Sequence, residues 1–135
     1  MVNVPDGSIG VSLLNFIYAP MKDLIVIDID WEQLHQVSED DPEFELELLT
    51  MLAEDVKLHI EDLRQAVIKG DVEAISHEAH YIKGASANVG VRRVTNLAKQ
   101  LEQLARQQAP TENSAPIVEQ LAIEIGKLEA YLTSQ

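Results

Sequence analysis

Apolar or small residues recur at every third or fourth position through most of the chain after residue 48. This is the spacing of a buried stripe on an α-helix. Four such stripes follow one another and predict four long helices. Their positions are Leu49, Leu52, Val56, Ile60, Leu63 and Val67; Val72, Ile75, Ala79, Ile82, Ser86 and Val89; Val91, Val94, Leu97, Ala98, Leu101, Leu104 and Ala105; and Ile117, Leu121, Ile125, Leu128 and Leu132.

Four amphipathic helices joined by short turns must bury their stripes against one another. The sequence therefore predicts an all-α fold, an antiparallel up-down four-helix bundle. Asp41-Pro42 begins the first long helix with a cap residue and a proline at the first helical position. Gly70 ends that helix, Asp71 caps the second, and residues 88–90 close it. A polar, proline-bounded loop is expected over residues 110–116, with Asn113 or Ser114 capping the last helix.

The chain before the bundle is predicted to contain one short extra helix. Asp30 is a plausible cap for a helix that runs to Gln36 and stops near Ser38. Residues 1–27 are rich in glycine and proline near their start and have no clear pattern. We therefore predict a partly irregular N-terminal extension, residues 1–27, and a bundle domain, residues 28–135.

The second helix carries the candidate chemistry in the stretch HEAHYIKGASANVG, residues 77–90. His80 lies about 130° from the centre of the buried stripe, so its ring should reach solvent. Lys83 and Gly84 follow one turn later on the same face. A glycine in a helix interior costs about 1 kcal/mol relative to alanine, and we interpret Gly84 as leaving space for a large group beside the ring. An accessible imidazole, a nearby cation and cleared space suit a histidine that accepts a phosphoryl group.

This stretch closely resembles the signature of histidine-containing phosphotransfer (HPt) domains. That signature has an alanine and the acceptor histidine, a hydrophobic residue, then Lys-Gly, small residues and a later glycine, and here it reads Ala79-His80-Tyr81-Ile82-Lys83-Gly84-Ala85-Ser86-Ala87-Asn88-Val89-Gly90. The resemblance extends over roughly residues 28–132 in helix order and length. It implies that His80 is the phosphoryl acceptor, that Lys83 compensates charge and that Gly84 provides clearance.

The same resemblance implies a phosphocarrier in a multistep two-component phosphorelay, which shuttles a phosphoryl group between receiver-domain aspartates. The expected partners are response-regulator receiver domains and a histidine kinase, which can be a hybrid kinase. The protein would need no cofactor of its own, because the aspartate and the Mg²⁺ that assists transfer belong to the partner receiver. The surface that receives the partner is predicted to be a rim around His80 formed by His77, Ala87, Asn88, Lys99 and Gln103, together with Ala85, Glu102 and Arg106.

Charge and composition narrow the class of partner. The net charge of −13 argues against nucleic acid and anionic membranes. Residues 79–109 nevertheless hold 5 bases and 1 acid, whereas residues 1–78 hold 18 acids and 4 bases. This basic segment is either an ordinary solvated face or a surface that attracts the acidic pocket of a receiver domain.

Several other features indicate a cytoplasmic monomer that is not an enzyme in its own right. The sequence has no cysteine, which fits a reducing cytoplasm, and no apolar run long enough to span a bilayer. We find no P-loop, glycine-rich nucleotide lid or kinase Asp–Asn set, so we expect no ATP-binding machinery.

Two other interpretations stay open at this level. The protein can be a helical adaptor that docks a receiver or kinase without being phosphorylated, and His80 alone would be a surface histidine with no task.

A metal-binding bundle is less well supported, because His77 and His80 lack a clear third ligand apart from Glu73, and Lys83 would repel a cation. Glu32-x-x-His35 lacks the second copy that a di-iron bundle requires, and His59 is interpreted as a packed or boundary histidine. We therefore predict no metal site.

Overall fold

A computed structural model describes residues 27–135, and the regular secondary structure of this part of the chain is helical apart from one isolated β-bridge. The predicted all-α bundle with a short preceding helix is confirmed. The predicted N-terminal extension lies outside the described residues except for Ile27. The helices are α1 (Trp31–Ser38), α2 (Pro42–Lys69), α3 (Val72–Val89), α4 (Arg92–Arg106) and α5 (Ala115–Thr133), with a 3-10 turn at Thr111–Asn113.

Helix boundaries follow the capping residues of the sequence. The side chains of Asp30, Asp41 and Asp71 each accept a hydrogen bond from a backbone N–H in the first turn of α1, α2 and α3. Each such cap stabilises a helix by about 1 kcal/mol. Gly70 and Gly90 end α2 and α3 in the left-handed conformation, with φ of 68° and 81°. These short turns reverse the chain direction between successive long helices.

The last connection differs from the predicted loop over residues 110–116. The 3-10 turn occupies its middle, and α5 already begins at Ala115, with Pro116 in its first turn. Proline is tolerated there because the first N–H groups of a helix have no partner within it. Ser114 precedes the helix as predicted, but its side chain makes no capping hydrogen bond.

The four long helices pack around one core in the cyclic order α2, α3, α4, α5. Most positions of the predicted stripes are buried in that core, whereas Val67, Val72, Leu104, Ile117 and Leu132 lie at its edge. No helix of residues 27–135 combines the length and the apolar character that a bilayer-spanning segment requires. The core fixes the rotation of α3, and with it the direction in which its polar face points.

Backbone hydrogen bonds join the segment before α1 to the turn between α3 and α4. The Asp30 N–H donates to the Gly90 carbonyl at 2.7 Å, the Arg92 N–H donates to the Asp28 carbonyl at 3.0 Å, and Ile29 forms an antiparallel bridge with Val91. A Cβ atom at Gly90 would lie 2.8 Å from the Asp30 carbonyl oxygen. Glycine is therefore required there by space as well as by its positive φ.

We predict that Gly90→Ala destabilises the fold more than Gly70→Ala does. Both glycines have positive φ, but a Cβ at Gly70 has no neighbouring atom within 4 Å. Gly70→Ala should lower the free energy of unfolding by about 1–2 kcal/mol, the usual cost of an L-residue in this conformation. Gly90→Ala should lower it by about 1–3 kcal/mol more, because the added methyl group meets backbone. Urea denaturation of both variants measures the difference, and equal losses would contradict the role assigned to the close contact.

Candidate functional site

His80 lies midway along α3 on the face that the core leaves in solvent. The buried neighbours Ala79 and Ile82 anchor the helix, and the His80 side chain is 69% exposed. Its Nδ1 atom lies 2.7 Å from Oε2 of Glu102 on α4. The ring is thus open to solvent on one side and held by a neighbouring helix on the other.

Glu102 is buried and shared between two partners. Its side chain is only 7% exposed, and its second oxygen, Oε1, accepts a hydrogen bond from Lys83 Nζ at 2.6 Å. A guanidinium nitrogen of Arg106 lies 3.5 Å from Oε2. The hydrogen bond from Lys83 is the largest cause of a lowered pKa of Glu102; His80 and the charges of Lys83 and Arg106 act in the same direction, and burial opposes them. Glu102 is therefore an ionised carboxylate at neutral pH.

This carboxylate determines which nitrogen of His80 is available. An ionised carboxylate can only accept hydrogen bonds, so Nδ1 of His80 must be the donor. In the neutral ring the other nitrogen, Nε2, then carries the free lone pair. Nε2 is consequently the atom of this site that can attack an electrophile.

The surface of α3 one turn after His80 is open at Gly84. Gly84 is exposed, and a Cβ atom built on it has no other heavy atom within 4 Å. Ala87 continues the exposed, small-residue surface toward the end of α3. Lys83 does not extend freely into this space, because its ammonium is bonded to Glu102 and its side chain is only 27% exposed.

The residues predicted to surround His80 are arranged as follows. His77, Ala87, Asn88, Lys99 and Gln103 are all exposed, on α3 and α4. Glu102 was predicted to be part of the same rim and does lie against His80, but it is buried between α3 and α4 and does not offer its carboxylate to a partner. The sequence does contain a signal for this, since Glu102 is the single acid among the residues 79–109.

A shallow apolar groove borders the site on its other side, between α2 and α3. It has a volume of about 570 Å³, and Met51 and Leu58 on its wall are 63% and 70% exposed. Tyr81, the neighbour of His80 in the chain, and Ala85 line it from α3. This groove was not predicted from the sequence, although Met51 and Leu58 are apolar residues seven positions apart and off the buried stripe of α2.

The candidate metal ligands considered from the sequence do not converge. Within residues 27–135, one group of histidine and acidic side chains lies close enough together to share an ion. None of His77, His80, Glu32 and His35 belongs to it. His35 instead contacts Glu45 through Nδ1.

Comparison with known proteins identifies the family. A family profile described as the Hpt domain matches residues 47–131, which is more than half of the chain. No curated protein matches the chain. Among solved structures, histidine-containing phosphotransfer protein B (HptB) from Pseudomonas aeruginosa PAO1 superposes with a TM-score of 0.70 at 25% identity, covering 78% of this chain and 91% of that one.

A second structure, the HPT domain from the Hpt sensor hybrid histidine kinase from Shewanella, superposes with a TM-score of 0.64 at 24% identity, covering 78% of this chain and 91% of that one. This second likeness concerns the fold. The family match and the structural likeness agree with a site whose nucleophilic imidazole stands open on a helical bundle. The chain belongs to the Hpt domain family, the histidine phosphotransfer proteins of phosphorelays.

Proposed function

We propose that this protein is a monomeric phosphocarrier that receives a phosphoryl group on His80 from the aspartate of one receiver domain and delivers it to the aspartate of another. The observation that carries the proposal is the ring of His80, which is 69% exposed while its Nδ1 atom is fixed by buried Glu102. The family match over residues 47–131 supports the same chemistry.

From this protein, the transfer step requires the free lone pair of the ring. Nε2 of His80 attacks the phosphorus of an aspartyl phosphate, the bond from phosphorus to the carboxylate oxygen breaks, and the aspartate leaves as a carboxylate. The proton on Nδ1 stays in place, so the phosphorylated ring carries a positive charge. The Glu102 carboxylate, 2.7 Å from Nδ1, stabilises that charge. Attack by a second aspartate on the same phosphorus reverses each of these changes.

Receiver domains are the proposed partners on both steps, with a histidine kinase upstream. A receiver that covers His80 also meets the cleared surface at Gly84 and the apolar groove beside Tyr81. The basic segment of residues 79–109 favours a partner with an acidic pocket. In this proposal the Mg²⁺ ion that assists transfer is held by the receiver, and the encounter takes place in the cytoplasm.

We predict that His80→Gln abolishes phosphorylation, whereas the matched variant His77→Gln still becomes labelled, because a rim contact affects docking and not the acceptor atom. Both histidines are exposed on α3, but only His80 contacts Glu102. The measurement is transfer of ³²P from a phosphorylated receiver, with the label on the wild type expected to be acid-labile and base-stable. Stable docking of the receiver to an unlabelled wild-type protein would instead support the adaptor function. Label on His80→Gln would exclude His80 as the acceptor.

We predict that Gly84→Gln slows transfer without harming the fold. The side chain would occupy the cleared space beside His80, and no heavy atom lies within 4 Å of the new Cβ. Gly126→Gln is the matched control, because Gly126 is also an exposed glycine inside a helix with no such neighbour. Both variants should be as stable as the wild type or up to about 1 kcal/mol more stable, from helix propensity.

Only the Gly84 variant should lose transfer rate, by about tenfold to a hundredfold, since small misplacements of reacting groups have effects of this size. Rapid-quench kinetics with a phosphorylated receiver measures the rate, and thermal unfolding measures stability. Equal rates in the two variants would refute the clearance role of Gly84.

We predict that Glu102→Ala changes the tautomer of His80 and slows phosphorylation by about tenfold or more, because Nδ1 loses its fixed acceptor. Glu124→Ala is the matched control: Glu124 is a similarly buried carboxylate paired with basic side chains, here Arg93 and Lys127 on α4 and α5. ¹⁵N NMR of the imidazole should show mainly the Nδ1–H form in the wild type and the control, and more Nε2–H form in Glu102→Ala. An unchanged tautomer ratio would show that Glu102 does not orient the ring.

A further inference from the structure

A second histidine site lies on the side of α3 that faces α2, whereas the contact between His80 and Glu102 lies on the side that faces α4. His59 on α2 contacts Glu78 on α3 through its Nδ1 atom. Asp62 follows His59 by one helical turn. One ligand atom from each of these three side chains lies within 4.8 Å of the other two. The group therefore joins two helices and offers one nitrogen and two carboxylate oxygens.

The charge of this cluster is not balanced by basic side chains. Within the described part of the chain, no lysine or arginine nitrogen lies within 4 Å of the carboxylate oxygens of Asp62 or Glu78. The ion-pair partner of Asp55 there is His59 alone. Three carboxylates thus surround a single imidazole. A bound cation would offset this repulsion.

The surroundings of His59 also resemble the outer shell of a metal ligand. Its second ring nitrogen, Nε2, faces Oδ1 of Asp55 at 3.6 Å, and Asp55 in turn accepts a hydrogen bond from the Tyr81 hydroxyl at 2.6 Å. The Tyr81 ring stacks on the His59 ring with centroids 4.1 Å apart. Histidines that bind metals usually donate their second N–H to a carboxylate, and Asp55 lies just beyond hydrogen-bond distance of that nitrogen in His59.

We propose that His59, Asp62 and Glu78 bind a divalent transition-metal ion of the zinc type. Imidazole combined with carboxylate suits zinc, and three protein ligands with water in the fourth position is a common arrangement. Tetrahedral ligands on zinc lie about 3.4 Å apart, so the three ligand atoms, which lie within 4.8 Å of one another, must adjust to that spacing. Binding replaces the direct contact between His59 and Glu78 with bonds to the ion, and it links α2 to α3. The site is separate from the phosphoryl acceptor and does not depend on the proposed function.

The test is calorimetric titration of the chelator-treated protein with ZnCl₂. The wild type should bind one equivalent of zinc. His59→Gln and Glu78→Gln should each weaken binding by about a hundredfold or more. Loss of a residue that only supports a ligand typically costs about tenfold to a hundredfold, and loss of a ligand itself should cost more. His77→Gln is the matched control and should bind as the wild type does. Absence of binding, unchanged binding in His59→Gln, or loss of binding in His77→Gln would overturn the proposal.

A second readout covers the case in which His59→Gln folds poorly. Asp55→Asn leaves all three ligands in place and should weaken zinc binding by about tenfold to a hundredfold. Zinc should also raise the unfolding temperature of the wild type more than that of Glu78→Gln, since only the wild type can link α2 to α3. Equal increases in both proteins, or an equal effect of Mg²⁺ on the wild type, would show that the ion binds the acidic surface without this site.

Discussion

The site depends on one buried carboxylate shared by an imidazole and an ammonium. Glu102 accepts from His80 Nδ1 at 2.7 Å and from Lys83 Nζ at 2.6 Å. A buried charge is costly unless it is paired, so the partners that satisfy Glu102 are also held in place by it. The orientation of the nucleophilic nitrogen is therefore set by the packing of α4 against α3. The buried contact between the Ser86 and Thr95 hydroxyls, at 2.7 Å, brings the same two helices together nearby.

Helix α3 presents different chemistry to its two neighbours because successive residues turn by about 100° around its axis. His80 meets α4, whereas Glu78 and Tyr81 meet α2 through His59 and Asp55. The stripe between these two faces is buried from Ile75 to Val89 and fixes the rotation of the helix. A change of register in the core would therefore displace His80 and the carboxylate cluster together.

The sequence was sufficient to predict those features that depend on local pattern. Periodicity located the four long helices, the caps at Asp41 and Asp71 located two helix starts, and the off-stripe angle of His80 predicted its exposure. The role of Glu102 was not predicted, because its contact with His80 spans 22 residues and depends on how α3 and α4 face each other. The cluster of His59, Asp62 and Glu78 was not predicted for the same reason, since the pattern within one helix does not reveal how facing helices are aligned.

Glu102 raises an electrostatic problem that the neighbouring cations resolve. A carboxylate next to the ring would by itself repel an incoming phosphoryl group, which carries negative charge. The Lys83 ammonium lies 2.6 Å and the Arg106 guanidinium 3.5 Å from the Glu102 carboxylate, and their two positive charges more than offset its single negative charge. Lys83 lies one helical turn after His80 on α3, and Arg106 lies one turn after Glu102 on α4. The arrangement keeps an acceptor for Nδ1–H while leaving the site net positive toward the dianion. In the proposed function, Lys83 would compensate charge chiefly through Glu102, and the open face at Gly84 would leave Nε2 accessible to each receiver in turn.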